Sequence, residues 1–180
     1  MVIVIAVIGK SGSGKTTTIE YLISNLSKEG YGIGTIKNMH AHPFTIDKEG
    51  KDTWRYTHAG ASAVIGLSPD EIVIIKKRTK TEIKLENLLQ FFNDVNLDFV
   101  FLEGLHAMIA KRIDIYKIIT ARDEDELKIT LENTVHPILA IAGTVSKTII
   151  SKEGIPAIDI HSQGEKLIKI IVDLRNIKKN

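Results

Sequence analysis

Residues 2–16 read VIVIAVIGKSGSGKT. The run Val2 to Ile8 is apolar at every position, and it gives way at once to eight residues holding three glycines, two serines and two lysines. A run that is apolar throughout, rather than at every second position, predicts a strand covered on both faces. Bulk is left out of a following loop where the backbone itself must approach a ligand. Gly9, Gly14, Lys15 and Thr16 fill the pattern G-x-x-x-x-G-K-[ST]. In that motif the loop N–H groups wrap a phosphate chain, the lysine reaches the β- and γ-phosphates, and the hydroxyl ligates Mg²⁺. A helix is predicted from Lys15, with Ile19, Leu22, Ile23 and Leu26 at i, i+3, i+4 and i+7 and Gly30 as its stop. Its positive end is aimed at the same phosphates. Strand, loop and helix together predict a site for a nucleoside triphosphate.

Gly32 to Asn38 predicts a second strand. Met39 to Gly50 has no clear period and holds two His, one Pro and one Asp, the composition of a functional or mobile segment. KDTWRYTHAGA (51–61) predicts a short helix ending near Gly60, with Trp54 as a buried anchor. SAVIGL (62–67) and EIVIIKK (71–77), separated by SPD, predict a hairpin whose apolar faces are built from Ala63, Ile65, Leu67, Val73 and Ile75. KKRTK (76–80) is expected to be its solvated end. Leu85 to Val95 has helical spacing, Phe99 to Leu102 is an apolar strand ending in Glu103-Gly104, and Arg112 to Ile119 alternates as a strand. Arg122 to Asn133 predicts a polar helix and Pro137 to Ala142 a buried strand. Ser162 to Glu165 has the capping-box pattern and opens a last helix with a stripe of Leu167, Ile170, Ile171 and Leu174. Alternating strands and helices predict an α/β fold with a mostly parallel sheet and an antiparallel hairpin, and the phosphate-loop motif after the first strand makes it a three-layer P-loop NTPase fold. The chain is expected to be one nucleotide-binding domain, 1–180, with 62–80 as the hairpin extension.

At 180 residues, 43% hydrophobic and 26% charged, the chain has the length and composition of one globular domain. A net charge of +2 provides no broad basic field, so no nucleic-acid partner is expected. The lack of cysteine excludes disulfides and thiolate metal sites and fits a reducing compartment. The first eight residues lack a basic leader and are too short to cross a bilayer. A cytoplasmic protein with no membrane partner is the expectation. Mg²⁺ usually takes one or two carboxylates beside the nucleotide. Glu103, at the carboxyl end of a buried strand, is the first candidate and Asp47 the second. His40 and His42 would share one face of a strand and are expected to hydrogen-bond locally or touch phosphate.

Several stretches together resemble one family, the molybdopterin-guanine dinucleotide biosynthesis protein B (MobB) family. They are SGSGKTT at 11–17, IEYLISNL after it, GTIKNMHAH at 34–42, IDKEGKDTWR at 46–55, HAGASAV at 58–64 and DFVFLEG at 98–104. The resemblance covers about the first two thirds of the chain and is thin beyond Ile119. It implies a P-loop fold with a β-extension that builds a homodimer, and it implies GTP as the nucleotide, bound with Mg²⁺. It also implies a partner nucleotidyltransferase of the MobA type, which this protein assists in joining GMP to molybdopterin to make the guanine dinucleotide. By position, the phosphate loop is Gly9, Lys10, Ser11, Gly12, Ser13, Gly14, Lys15, Thr16 and Thr17. Lys37, His40, Asp47, Lys51 and Asp52 match the family's second motif, and Glu103 and Gly104 its Walker-B-like end.

The chain departs from the family in places. Leu105-His106 replaces the usual Phe-Lys, removing or replacing a cation there, and Glu49 stands for a proline. No Asn-Lys-x-Asp base-reading motif occurs, so guanine rests on the resemblance alone. Lys10 occupies the place from which dimerising P-loop ATPases reach a partner's nucleotide. Two other functions use this fold class. A metallochaperone-type GTPase predicts Cys or dense His, against no Cys and six His here. A small-molecule kinase predicts an arginine-bearing lid. Arginines are few and scattered, so weak intrinsic GTPase activity is expected.

Overall fold

The structure, a computed structural model, describes residues 2–39, 47–77 and 83–177. His40, His42 and positions 78–80 of the hairpin extension lie outside the described residues. Two compact units divide the chain: Met1–Asn38 with Lys84–Asn180, and Met39–Ile83.

The first unit is built on β1 (Ile3–Ile8), β2 (Ile33–Lys37), β5 (Phe99–Glu103), β6 (Tyr116–Thr120) and β7 (Ile138–Ala142). They form a five-stranded sheet in the order β2-β5-β1-β6-β7, parallel at every pairing. The period of two along β1 divides the core in half. Ile3, Ile5 and Val7 face one side, where they pack with Ile19, Leu22 and Leu26 of α1 (Lys15–Lys28) and with Leu167, Ile168 and Ile171 of α6 (Ile160–Ile177). Ala6 and Ile8 face the other, against Leu85 of α3 (Leu85–Leu89) and Ile109 of α4 (His106–Ile109). Farther along that face, Ile119 and Ile141 pack with Leu127 and Leu131 of α5 (Glu124–Glu132). The result is the three-layer α/β arrangement expected from the continuous apolar runs. Among the described residues no helix is long and apolar enough to cross a membrane.

Several boundaries differ from expectation. Helix α3 stops at Leu89 and passes into a 3₁₀ turn, Gln90–Phe92, rather than running to Val95. Strand β6 begins at Tyr116, not Arg112. Residues 112–115 form a turn in which Arg112 bonds Glu86 and Asp114. Lys117 is fully buried on the strand, and its ammonium donates to Ile115 O at 2.9 Å and to Arg112 O. Helix α6 starts earlier than the capping box predicts. Asp159 caps its first turn, Oδ1 accepting from His161 N at 3.2 Å and Oδ2 from the Ser162 hydroxyl at 3.0 Å. Ser162 therefore donates to a cap instead of being one, and non-helical Gln163 (φ −136°) separates that turn from the long arm that follows.

The second unit holds α2 (Asp52–His58) and the antiparallel hairpin β3 (Ala63–Leu67) and β4 (Ile72–Lys76). Trp54 is half-buried and stacks on His58, with ring centroids 3.6 Å apart, so it is not the enclosed anchor expected. The register pairs Leu67 with Ile72 and Ile65 with Ile74. Ile65, Leu67, Ile72 and Ile74 thus share one exposed face, and Val64, Val73 and Ile75 share the other. Moving the pairing by one residue would exchange the faces of one strand. Ser68, whose N–H donates to Glu71 O and whose hydroxyl accepts from Glu71 N, closes the loop that sets this register.

Leu22 has no exposed surface and lies between α1 and the sheet. Leu22→Ala is expected to cost about 2–5 kcal/mol. Urea titration followed by circular dichroism should show a lower midpoint with an unchanged slope.

Candidate phosphate site

The carboxyl ends of β1, β5, β6 and β2 converge where the glycine-rich loop leaves the sheet. Gly9 is wedged there: a Cβ on it would lie 2.2 Å from Thr120 O, 2.4 Å from Thr120 Oγ1 and 2.5 Å from Ser13 Oγ. The brace is made by those same groups, since Ser13 Oγ and Thr120 Oγ1 are hydrogen-bonded at 2.7 Å and Thr120 Oγ1 donates to Ile8 O at 3.3 Å. Sequence reasoning passed over Thr120. Its one signal is a hydroxyl closing the apolar run Ile118-Ile119.

The loop tightens through Ser13 N donating to Lys10 O at 3.3 Å. It enters α1 through Gly14, at φ 96° and with no side-chain cap, and the first turn of α1 carries no acidic residue. Its first N–H groups are therefore directed at the loop, the arrangement that accepts an anion. Lys15 Nζ reaches back over the loop to Lys10 O at 2.6 Å. Burial lowers the Lys15 pKa; Glu103 opposes this and Lys37 adds to it.

On the side towards β5 and β2, Thr16 Oγ1 donates to Glu103 Oε1 at 2.9 Å. Lys37 Nζ lies 3.3 Å from the same oxygen and 3.5 Å from Thr16 Oγ1. Strand register dictates this meeting, because Glu103 pairs with Lys37 on one side and Val7 on the other. Gly104 turns the chain out of β5, next to Asn38, whose N–H donates to Glu103 O at 2.9 Å. Hard oxygen donors on a hydroxyl and a carboxylate, set together at a phosphate loop, suit Mg²⁺.

The structure thus brings Gly9 to Thr17, Lys37, Glu103 and Gly104 into one site. Asp47, Lys51 and Asp52 belong to the second unit, where Thr53 Oγ1 donates to Asp47 Oδ1 at 2.7 Å and Asp52 pairs with Arg55 at 3.3 Å. His106, in the place of the family's lysine, is turned toward Thr134 at 3.5 Å. Burial, with Lys111 as a lesser cause, lowers its pKa, so it supplies no fixed cation at neutral pH. Arg122 follows β6 at the edge of the loop, and Glu126 holds it, with Nε to Oε1 at 2.9 Å. That pairing keeps the Glu126 carboxyl well below the usual range.

The chain is similar to proteins of one description. A 120-residue stretch is 40% identical to the molybdopterin-guanine dinucleotide biosynthesis adapter protein of Haemophilus influenzae, covering 67% of this chain and 64% of that one. A 122-residue stretch is 37% identical to a putative adapter protein of the same description from Methanocaldococcus jannaschii, covering 68% of this chain and 48% of that one. The chain therefore spans less than two thirds of the length of either. The crystal structure of Bacillus subtilis MobB superposes with a TM-score of 0.74 at 22% identity, over 95% of this chain and 96% of that one, which establishes the shared fold. The model of the molybdopterin guanine dinucleotide synthesis protein B family matches residues 4–144, well over half of the sequence, and the chain belongs to that family.

Proposed function

We propose that this chain is a GTP-binding adapter that assists a nucleotidyltransferase of the MobA type in joining GMP to molybdopterin, with only weak GTP hydrolysis of its own. The observation that carries the reading is the phosphate loop braced on Thr120, with Thr16, Glu103 and Lys37 gathered at one side of it. Bound Mg²⁺ would be held by Thr16 Oγ1 and Glu103 Oε1, with Asp47 a further candidate ligand, and would neutralise phosphate charge. Lys15 then contacts the terminal phosphates and the N–H groups of the loop hold the chain in line. The adapter role and the guanine dinucleotide come from the names of the relatives. A cysteine-free composition supports a cytoplasmic setting.

The pairing of the arginines supports slow turnover. Fast phosphoryl transfer needs a free cation at the developing charge, often an arginine. Among the described residues, Arg55, Arg112, Arg122 and Arg175 each pair with a carboxylate. A lid arginine of the kind a small-molecule kinase uses is not offered by any of these four. The hairpin supports the homodimer. Two strands alone are marginal in water. Here one face leaves Ile65 68%, Leu67 80% and Ile72 68% exposed, a surface that a second copy of the same hairpin would cover about a two-fold axis.

Steady-state GTP hydrolysis by the purified protein is expected below about 1 s⁻¹. Guanine dinucleotide formation should rise when the protein is added to the nucleotidyltransferase and molybdopterin. Faster hydrolysis without a partner would defeat the adapter reading. Glu103→Gln and Asp47→Asn should weaken GTP binding in Mg²⁺ more than in EDTA; an equal loss in both would mean that these carboxylates only shape the protein. Light scattering at micromolar concentration should give twice the 20.0 kDa chain mass. The pair Leu67→Lys and Ile72→Lys should halve it while GTP still binds, and a monomeric parent protein would overturn the dimer.

A further inference from the structure

On the side of the phosphate loop away from Glu103 lies a second concavity, about 180 Å³ in volume. One wall is the loop itself, with Gly14 and Thr17. The other carries Thr144, Lys147, Asp159 and His161, contributed by two segments far along the chain. Gly143 brings the first of them in. At φ 84° it passes so close to the loop that a Cβ would sit 2.4 Å from Ser13 O. The 3₁₀ turn Thr144–Lys147 follows, tied by Ser146 Oγ donating to Gly143 O at 2.7 Å. The second segment runs beside β7, through the parallel bridge between Ile141 and Ala157 and through Ile158 N donating to Ile141 O at 2.8 Å. It therefore delivers Asp159 to the carboxyl end of the sheet, where ligands of such folds bind.

The concavity shares Gly14 and Thr17 with the phosphate cradle, so its occupant is another part of the same ligand. It is smaller than pockets that enclose whole ligands, which run from about 300 Å³ upward, and its size suits one ring system. Asp159 sets the chemistry of that ring. Its two oxygens have roughly four lone-pair sites, and His161 N and the Ser162 hydroxyl use two of them. The carboxylate is held ionised by those bonds, and Lys147 adds to the effect. An ionised carboxylate only accepts. It complements a ring edge with two adjacent donors, N1–H and the 2-amino group of guanine. Adenine offers an acceptor at N1 there and is rejected. Lys147 is exposed, and its alkyl stem can cover a ring face while its ammonium stays in water.

We infer that this concavity is the base subsite of the nucleotide, and that Asp159, with Lys147 across it, selects guanine over adenine. The inference rests on the nucleotide-binding reading above and supplies the base recognition that the sequence lacked as a motif. Calorimetric titration of the whole protein with GTP, ATP and xanthosine triphosphate in Mg²⁺ tests it. Asp159→Asn keeps a side-chain acceptor for the helix cap. It should lower GTP affinity about 10- to 150-fold, the loss of a charge-assisted contact. It should raise affinity for the xanthine nucleotide, whose 2-oxo group can accept from the new amide. Lys15→Ala should weaken GTP and ATP alike. If Asp159→Asn leaves the preference of GTP over ATP unchanged while Lys15→Ala still weakens both, the base subsite is overturned and the nucleotide site stands. If the unaltered protein binds neither triphosphate, both readings fall. Should Asp159→Asn not fold, Lys147→Ala at the exposed turn carries the test: a greater loss for GTP than for ATP supports the subsite, and an equal loss or none overturns it.

Discussion

A loop that binds phosphate with its own amides must be held rigid by something other than bulky side chains of its own. In this chain the constraint is met by crowding at Gly9. The backbone of β6 comes so near that no Cβ fits, and the Thr120 hydroxyl sits between Ser13 and Ile8 O. Because β6 is the neighbour of β1, the brace exists only once the parallel sheet has formed. The glycine content of the loop and the burial of the sheet are thus one requirement seen at two scales. The loop contributes little to holding itself, and the core of Ile3, Ile5, Phe99, Phe101 and the helices packed on them provides the fixed platform.

Electrostatics then divides the two sides of that platform. Toward β5, Glu103 is nearly enclosed at 13% side-chain exposure, with Lys37 and the Thr16 hydroxyl upon it. A carboxylate so placed loses hydration and regains it through a cation and a donor. The strand register makes the arrangement cheap in chain entropy, because Lys37 and Glu103 are opposite partners on adjacent strands. On this side the protein offers charge to charge, the chemistry of phosphate and of a divalent ion, which does not distinguish one nucleobase from another.

How much of this was readable before folding depended on the range of the interactions. Strands β1, β5 and β7 were legible because their burial leaves continuous apolar runs, whereas β2, an edge strand with Thr35 and Lys37 exposed, was marked only by the short stretch from Gly32 to Asn38. The phosphate loop was legible because its motif is contiguous. The start of β6 was misplaced by four residues, since alternation in Arg112 to Ile115 comes from a turn held by Glu86, 26 residues away, and by the buried Lys117 ammonium. The start of α6 was misplaced because a serine that matches a capping box donates to an earlier aspartate instead. Hairpin existence was plain, but its faces followed from a loop whose closing bonds at Ser68 fix register by one residue. Thr120 gave almost no signal: a hydroxyl in an apolar strand becomes meaningful only once Ser13 is known to lie beside it.

The wall formed by Thr144, Lys147 and Asp159 was the least legible part, and the reason is physical. The strands that frame it, β8 (Ser151–Lys152) and β9 (Ile155–Pro156), are two residues each, too short to leave a period. Asp159 reaches its place through one bridge to Ile141 and one close backbone approach at Gly143, neither of which constrains neighbouring side chains. A phosphate loop works through consecutive amides, so its signal is a contiguous motif. Recognition of a ring edge needs only one or two acceptors at the right place, and any segment delivered to the carboxyl end of the sheet can supply them. A chain can therefore read a base without a recognisable base motif, provided that its outermost strand and the helix after it deliver a carboxylate to that position.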